Sequence, residues 1–309
     1  MKYSGIGGQA VMEGVMMKNG TRYAVAVRTP DGSIAVDTKE YRGILDGAFK
    51  KVPFVRGVLN FGDSMVLGMK SLMYSASFFE EEEKEAEGSS RESAGLREPD
   101  AKEKAFIWMM MAASIAAAVV IFMLIPYAIS ALLERWIPSQ AVRAVLEGCL
   151  RMAVFFTYIL LISRMEDIQR VFMYHGAEHK CINCIEHGLE LNVENVRKSS
   201  RLHRRCGTSF LFLVVCISII FFLFIRTSSG LMRIVIRLVL VPVIAGCAYE
   251  CIRLAGRSDN ALASFYSRPG LALQKLTTRE PDDAMIEVGI ASVEAVFDWK
   301  AYRKEHWES

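Results

Sequence analysis

Charge is missing from two long stretches of this chain, and histidine is scarce everywhere in it. Residues 105–133 and 206–225 contain no Asp, Glu, Lys or Arg. Uncharged blocks of that length exclude an ordinary soluble domain as the expectation. About 20 helical residues cross a bilayer's hydrocarbon core, so the first block spans with some to spare and the second just reaches. The opening MKYSGIGGQA lacks the apolar centre of a signal peptide, and no cleaved leader is expected there. A net charge of +3 with no basic stripe leaves nucleic acid outside the expected partners. Seven cysteines, an odd number lying mostly in or beside the apolar blocks and the segment between them, exclude a disulfide scaffold as the default. No internal repeat is present. Histidine occurs five times in 309 residues, and four of the five fall between positions 175 and 203.

Two further apolar stretches carry charges. Residues 138–163 hold Arg143, Glu147 and Arg151 ahead of an uncharged half, and their spacing of four predicts an internal ion ladder. Residues 231–252 hold Arg233 and Arg237 near one end and Glu250 near the other. Lys and Arg number 15 before the first block, then 3, 8, 3 and 8 in the successive gaps and tail. That alternation predicts four crossings of the cytoplasmic (inner) membrane, with the N- and C-termini in the cytosol. The expected fold is therefore mainly α: a polytopic membrane protein with about four transmembrane helices and a small β-rich N-terminal cytosolic unit.

The β-rich unit is expected over 1–52. TRYAVAVRT and SIAVDTKEY alternate apolar and polar residues around Pro30-Asp31-Gly32, a hairpin signal. Ahead of it, GIGGQAVMEGVMMKNG is glycine-rich with one acid, Glu13, and reads as a tight loop. Residues 53–79 place Arg56, Asp63 and Lys70 seven apart, one stripe of an amphipathic helix lying in the membrane interface. Residues 80–104 are charged and poor in large apolar groups, the composition of a disordered linker. The four-helix membrane region is expected over 105–254 and cytosolic helices over 255–309. One of the latter opens at Pro281-Asp282 and docks through Ile286, Ile290, Val293 and Phe297.

The segment 163–208 carries the chemistry. YHGAEHKCINCIEHG (174–188) reads as a helix continuing out of the second span, with His175 and His179 on one face. With Glu178 they form H-x-x-E-H, the inverted zinc-hydrolase order: two imidazoles for a metal and a carboxylate as general base. His203 and Cys206 are candidates for the third ligand. Glu250, 71 residues beyond His179, is a more distant one. Glu186 lies two turns from His179 and suits an orienting role. A second reading uses Cys181-x-x-Cys184 with His203-x-x-Cys206, the spacing of a closed structural zinc site. A redox role for the C-x-x-C pair lacks the strand-to-helix context that such chemistry uses. Cys149, Cys216, Cys247 and Cys251 read as packing residues, and His187 and His306 as surface. Imidazole with thiolate favours zinc, with iron the alternative.

GGQAVMEGVMM, YHGAEHK, HRRCGTSF and LTTREPDDAMIEVGI, in this order around these spans, resemble the YqhQ-like family of bacterial membrane proteins over nearly the whole chain. The resemblance implies a metal-dependent enzyme and no particular substrate. It marks Glu13, His175, Glu178, His179, His203, Cys206, Arg279 and Glu280 as the matching positions. The family pattern does not require cysteine at position 181, which weakens the closed site. The expected function is a zinc-dependent membrane hydrolase acting on a membrane-borne lipid or peptide at the bilayer surface. The alternative is a non-catalytic scaffold or assembly factor with a structural Cys/His metal site.

Overall fold

Four short strands at the N-terminus form an antiparallel meander: β1 (Gly7–Val11), β2 (Gly14–Asn19), β3 (Arg22–Arg28) and β4 (Ile34–Glu40), in that spatial order. The structure is a computed structural model and describes residues 2–43, 52–86, 101–225, 227, 229–257 and 261–307. The β3–β4 hairpin turns at the Pro-Asp-Gly sequence, where Asp31 Oδ1 accepts hydrogen bonds from Thr29 Oγ1 and from Ser33 N and Oγ. The glycine-rich stretch before it is a second hairpin, not the expected loop. β1 and β2 pair from Gly7↔Lys18 to Val11↔Gly14, and Glu13 takes the left-handed conformation at the turn with φ 48°. At Gly8 the missing side chain permits close approach, since a Cβ there would meet Met16 O at 2.7 Å and Glu178 Cγ at 2.9 Å.

The two central strands are buried on both faces, while β4 is largely exposed. Val15, Met17, Ala24 and Ala26 point to one side, where they meet α5 (Glu166–Glu186) and α10 (Asp283–Glu294). Val11, Met16, Val25 and Val27 point to the other, against Leu67 of α1 (Val55–Ala86). Each Val, Leu or Met among them contributes roughly 1.5–3 kcal/mol by leaving water. α1 outruns the 53–79 segment and enters the charged stretch; residues 87–100 lie outside the described residues. Its polar stripe has partners. Arg56 pairs with Glu250, Asn60 donates to the Tyr249 hydroxyl at 2.8 Å, and Asp63 accepts from the Tyr41 hydroxyl at 3.1 Å. Among the described helices α1 is not one that is long and apolar enough to cross a membrane.

Three helical stretches are long and apolar enough: Trp108–Leu132, Gln140–Ile162 and Gly230–Leu254. The first comprises α2 (Ala101–Val119), a π turn (Val120–Leu124) and α3 (Ile125–Leu132). Pro126, at the start of α3, has no N–H to continue the regular ladder, which accounts for the π turn there. The others are α4 (Gln140–Ile162) and α8 (Gly230–Arg257). Between them α7 (Gly207–Leu223) has 17 residues, short of a full span. The protein is thus mainly helical with three candidate spans, one fewer than the charge alternation predicts. α9 (Ala261–Thr277) packs against α7 and α8.

Glu147 of α4 pairs with Arg151 at 2.7 Å, as the spacing predicts. Arg143 turns instead to Glu134, and Arg237 of α8 takes its place on Glu147 at 2.7 Å.

Candidate metal centre

α5 does not continue α4. A turn at Ser163–Met165 separates them, and α5 then runs beneath the sheet, with Gly176 through Glu186 all buried. Six turns of helix with so many polar side chains require partners. α6 (Val193–Lys198) and the irregular segment after it supply them as backbone carbonyls. Lys180 Nζ donates to Arg197 O and Ser199 O at 2.8 and 2.9 Å, and to the Glu280 carboxylate at 2.8 Å. Asn183 Nδ2 donates to Ser200 O and Leu202 O at 2.6 and 3.0 Å. The side chains of α5 therefore hold residues 197–202 in place.

The same segment orients the site. His179 Nδ1 is 2.7 Å from Arg201 O, and His175 Nδ1 is 2.9 Å from Thr277 O at the end of α9. A carbonyl only accepts, so each Nδ1 carries a proton and each Nε2 is the nitrogen left to face the cluster. The rings are 4.4 Å apart between centroids. Cys206 caps α7, its Sγ accepting from Thr208 N at 3.4 Å, and stands 3.2 Å from His175 Nε2. The ligand atoms of His175, His179 and Cys206 all lie within 4.8 Å of one another, a group that could hold a metal ion. Burial pushes the Cys206 thiol up, but His175 and His179 outweigh it and hold the thiol well below its ordinary range. Burial acts to lower the His175 value, and the Cys206 sulfur overcomes this and raises it to about 9. The pair favours the thiolate, the form that binds metals.

Glu178 lies beside the cluster. It is buried against Gly8 of β1, and burial pushes its carboxyl up despite His175 and His179. His203 does not join the three. Its Nε2 faces Glu186 at 3.4 Å, its N–H donates to Gln274 Oε1 at 2.9 Å, and its ring centroid is 5.7 Å from that of His179. Burial, first, and Arg205 hold His203 below its ordinary value. Glu186 is a clamp. It accepts from Ser4 N and Oγ at 3.0 and 2.8 Å and pairs with Arg205, tying the N-terminal segment to α5.

The other expected ligands lie elsewhere. Cys181 is buried where a Cβ on Gly289 of α10 would come within 2.9 Å of its sulfur, and Cys184 Sγ meets Glu190 O at 3.4 Å. Burial raises both thiols, that of Cys184 to about 11. The structure does not gather these two with His203 and Cys206, so the closed four-ligand site does not form. Glu250 is occupied by Arg56 and by Phe54 N at 3.3 Å, because that end of α8 faces α1. Glu13 pairs with Arg170 and lies 3.2 Å from the Tyr174 hydroxyl, bracing the hairpin turn against α5. His187 is exposed; His306 is half-buried, its ring stacked on Tyr302.

The two carbonyls and Gly176 are what residue patterns did not single out. Gly176 has no side chain because Arg279 O lies where its Cβ would stand, so the 277–281 segment crosses α5 there. Beyond that crossing is a cleft of about 480 Å³ lined by Ser163, Met173, Arg201, Lys275, Arg279 and Glu280, among others.

These features define a mainly helical protein with membrane-length apolar helices and a His–His–Cys cluster beside them. The chain belongs to the family described as "Protein of unknown function (DUF1385)", whose model matches residues 52–299. It is 32% identical over 310 residues to "Uncharacterized protein YqhQ" of Bacillus subtilis (strain 168), a similarity covering 97% of this chain and 94% of that protein. The family model begins after the sheet, whereas the similarity to this relative takes in nearly the whole chain. No solved structure matches the chain.

Proposed function

We propose that the protein is a metal-dependent hydrolase of the cytoplasmic membrane, its centre formed by His175, His179 and Cys206 on the cytosolic side. One observation carries the reading: three ligand atoms converge within 4.8 Å, and both imidazoles have their Nδ1 engaged by backbone carbonyls. Two imidazoles and a thiolate suit zinc, with iron the alternative, and three protein ligands are the complement of a catalytic zinc site. A bound zinc supplies Lewis acidity and acidifies water. Glu178 is the proton acceptor: it is a buried carboxyl beside the cluster, and burial raises it above the ordinary carboxylate value, which makes it the stronger base. Arg201, Lys275 and Arg279 give the adjoining cleft a cationic lining that suits an anionic group on a membrane-borne lipid or peptide. The alternation of basic residues supports four crossings, with α7 as the short one and both termini cytosolic.

The test is Glu178→Gln in detergent-purified protein, with hydrolysis of lipid and peptide ester panels read beside metal content. Retained metal with a loss of about 10²–10⁴-fold in rate is expected. Unchanged hydrolysis by the variant overturns the mechanism.

The burial of His179, Glu178 and Cys206 favours a second reading. In it the metal is a staple joining α5 to the start of α7, and the protein is a scaffold or assembly factor. That reading expects removal of the metal to unfold the 197–206 segment and no hydrolysis at any stage.

A further inference from the structure

A second cluster of charge lies at the opposite end of the helical bundle from the metal centre. α4 ends and α7 begins on the centre's side, so the start of α4, the start of α8 and the end of α7 face away from it. Glu147 and Arg237 each stand seven residues inside their helices, about 10 Å from the helix starts. With Glu134, Arg143 and Arg233 they line a small cavity of about 20 Å³, room for one water-sized particle.

The charges there do not balance. Guanidinium stays protonated in proteins, and Glu134 and Glu147 face three lining arginines. Arg143 takes Glu134 at 2.8 Å, while Arg237 shares Glu147 with Arg151 from outside the cavity. Arg233 donates to the backbone oxygen of Thr227 at 2.7 Å and pairs with no carboxylate among the described residues. Hydrogen bonding is also incomplete. Among the described residues the buried Nε groups of Arg233 and Arg237 have no acceptor; Arg237 Nη2 donates to Glu147 Oε2 at 2.8 Å, whereas its Nη1, 2.7 Å from Glu147, is outside hydrogen-bond geometry. Arg237 is 4% exposed. Tyr127 and Phe222 turn ring faces to Arg237 at 4.8 and 4.9 Å, which softens the charge without supplying an acceptor. A surplus cation with unmade N–H bonds inside apolar helices marks a ligand site.

We propose that the cavity between α3, α4, α7 and α8 binds a monovalent anion of halide size, held by Arg233 and Arg237. One negative charge neutralises the lining and gives the two Nε groups an acceptor. Water alone supplies the acceptor and leaves the charge. The inference is independent of the metal centre.

The test uses full-length protein in nanodiscs, in sodium chloride, bromide, phosphate or gluconate at one ionic strength. Chlorine NMR should show a saturable, protein-dependent line broadening that bromide displaces. Thermal unfolding should rise by about 2–4 °C in chloride over gluconate. Arg233→Gln, a change at a half-exposed position, should abolish both effects while the protein still folds. Broadening that is absent in the wild type, or equal in Arg233→Gln, overturns the proposal. Stabilisation by phosphate in place of halide overturns it as well.

Discussion

His175 Nε2 stands 3.2 Å from Cys206 Sγ, across the gap between α5 and the start of α7, while the opposite nitrogen of the same ring is engaged by Thr277 O. That relation separates the cysteines into two kinds. Cys206 is a ligand candidate with a depressed thiol, and Cys181 and Cys184 are core residues with raised ones. Elemental analysis of purified variants should therefore find the metal lost in His175→Ala, His179→Ala and Cys206→Ser, and kept in Cys181→Ala and Cys184→Ala. The loss of affinity should exceed the 10–100-fold that changing an outer partner produces. A Cys181→Ala protein emptied of metal, beside a loaded His175→Ala, would restore the closed four-ligand site.

Gly176→Ala tests how the His175 imidazole is held. On a free helix surface the change would add about 1 kcal/mol of stability, since alanine is the better helix former. Here the new methyl lands on Arg279 O and lies 3.3 Å from Pro281 Cδ. The crossing segment must move away, and with it the Thr277 carbonyl that orients His175. Thermal unfolding should show a cost of about 1–3 kcal/mol instead of a gain. Metal titration should show affinity down by roughly 10–100-fold. A stabilised variant with full affinity would mean that the 277–281 segment does not position the ring.

Much of this was legible in residue order, for identifiable reasons. Uncharged runs, the Pro30-Asp31-Gly32 turn and the Asp282 cap of α10 are local signals, and local structure follows them. His175, His179 and Cys206 were legible as chemistry because those side chains are rare here and fall close together. The carbonyls of Thr277 and Arg201 were not, because a backbone group carries no residue identity. Glu250 was misplaced because distance along the chain does not say which helix an α8 side chain faces. The β1–β2 hairpin was hidden because glycine serves close packing there as readily as it serves a loop.

Glu186 sets an acid limit on stability. Burial alone would raise its carboxyl; His203 and Arg205 reverse that and hold it at about 2. A carboxylate whose folded pKa lies below its ordinary value of 4.5 stabilises the fold above that value. The contribution is lost as pH falls from about 4.5 toward 2. Thermal unfolding followed through that window should decline more steeply in the wild type than in Glu186→Gln. At neutral pH the variant should be less stable by about 1–3 kcal/mol, since Ser4 and Arg205 lose a charged acceptor. Parallel acid profiles would mean that Glu186 does not titrate with unfolding.

Glu147 is the one carboxylate that Arg151 and Arg237 share, and all three are buried among α4, α7 and α8. Removing it leaves the two guanidiniums facing each other with no carboxylate between them. Breaking a buried pair from one side costs about 3–5 kcal/mol, so Glu147→Ala should be among the most destabilising single changes in the helical bundle. Replacing the whole set behaves differently, because desolvation of the charges is removed together with their attraction. A triple variant, Glu147→Leu with Arg151→Met and Arg237→Met, should recover most of the loss and match or exceed the wild type by up to about 4 kcal/mol. Denaturation in detergent measures both. If Glu147→Ala is neutral, the two arginines have another counter-charge in the folded protein. A triple variant no better than the single one would mean that the ion cluster holds the helices in register beyond the energy of its pairs.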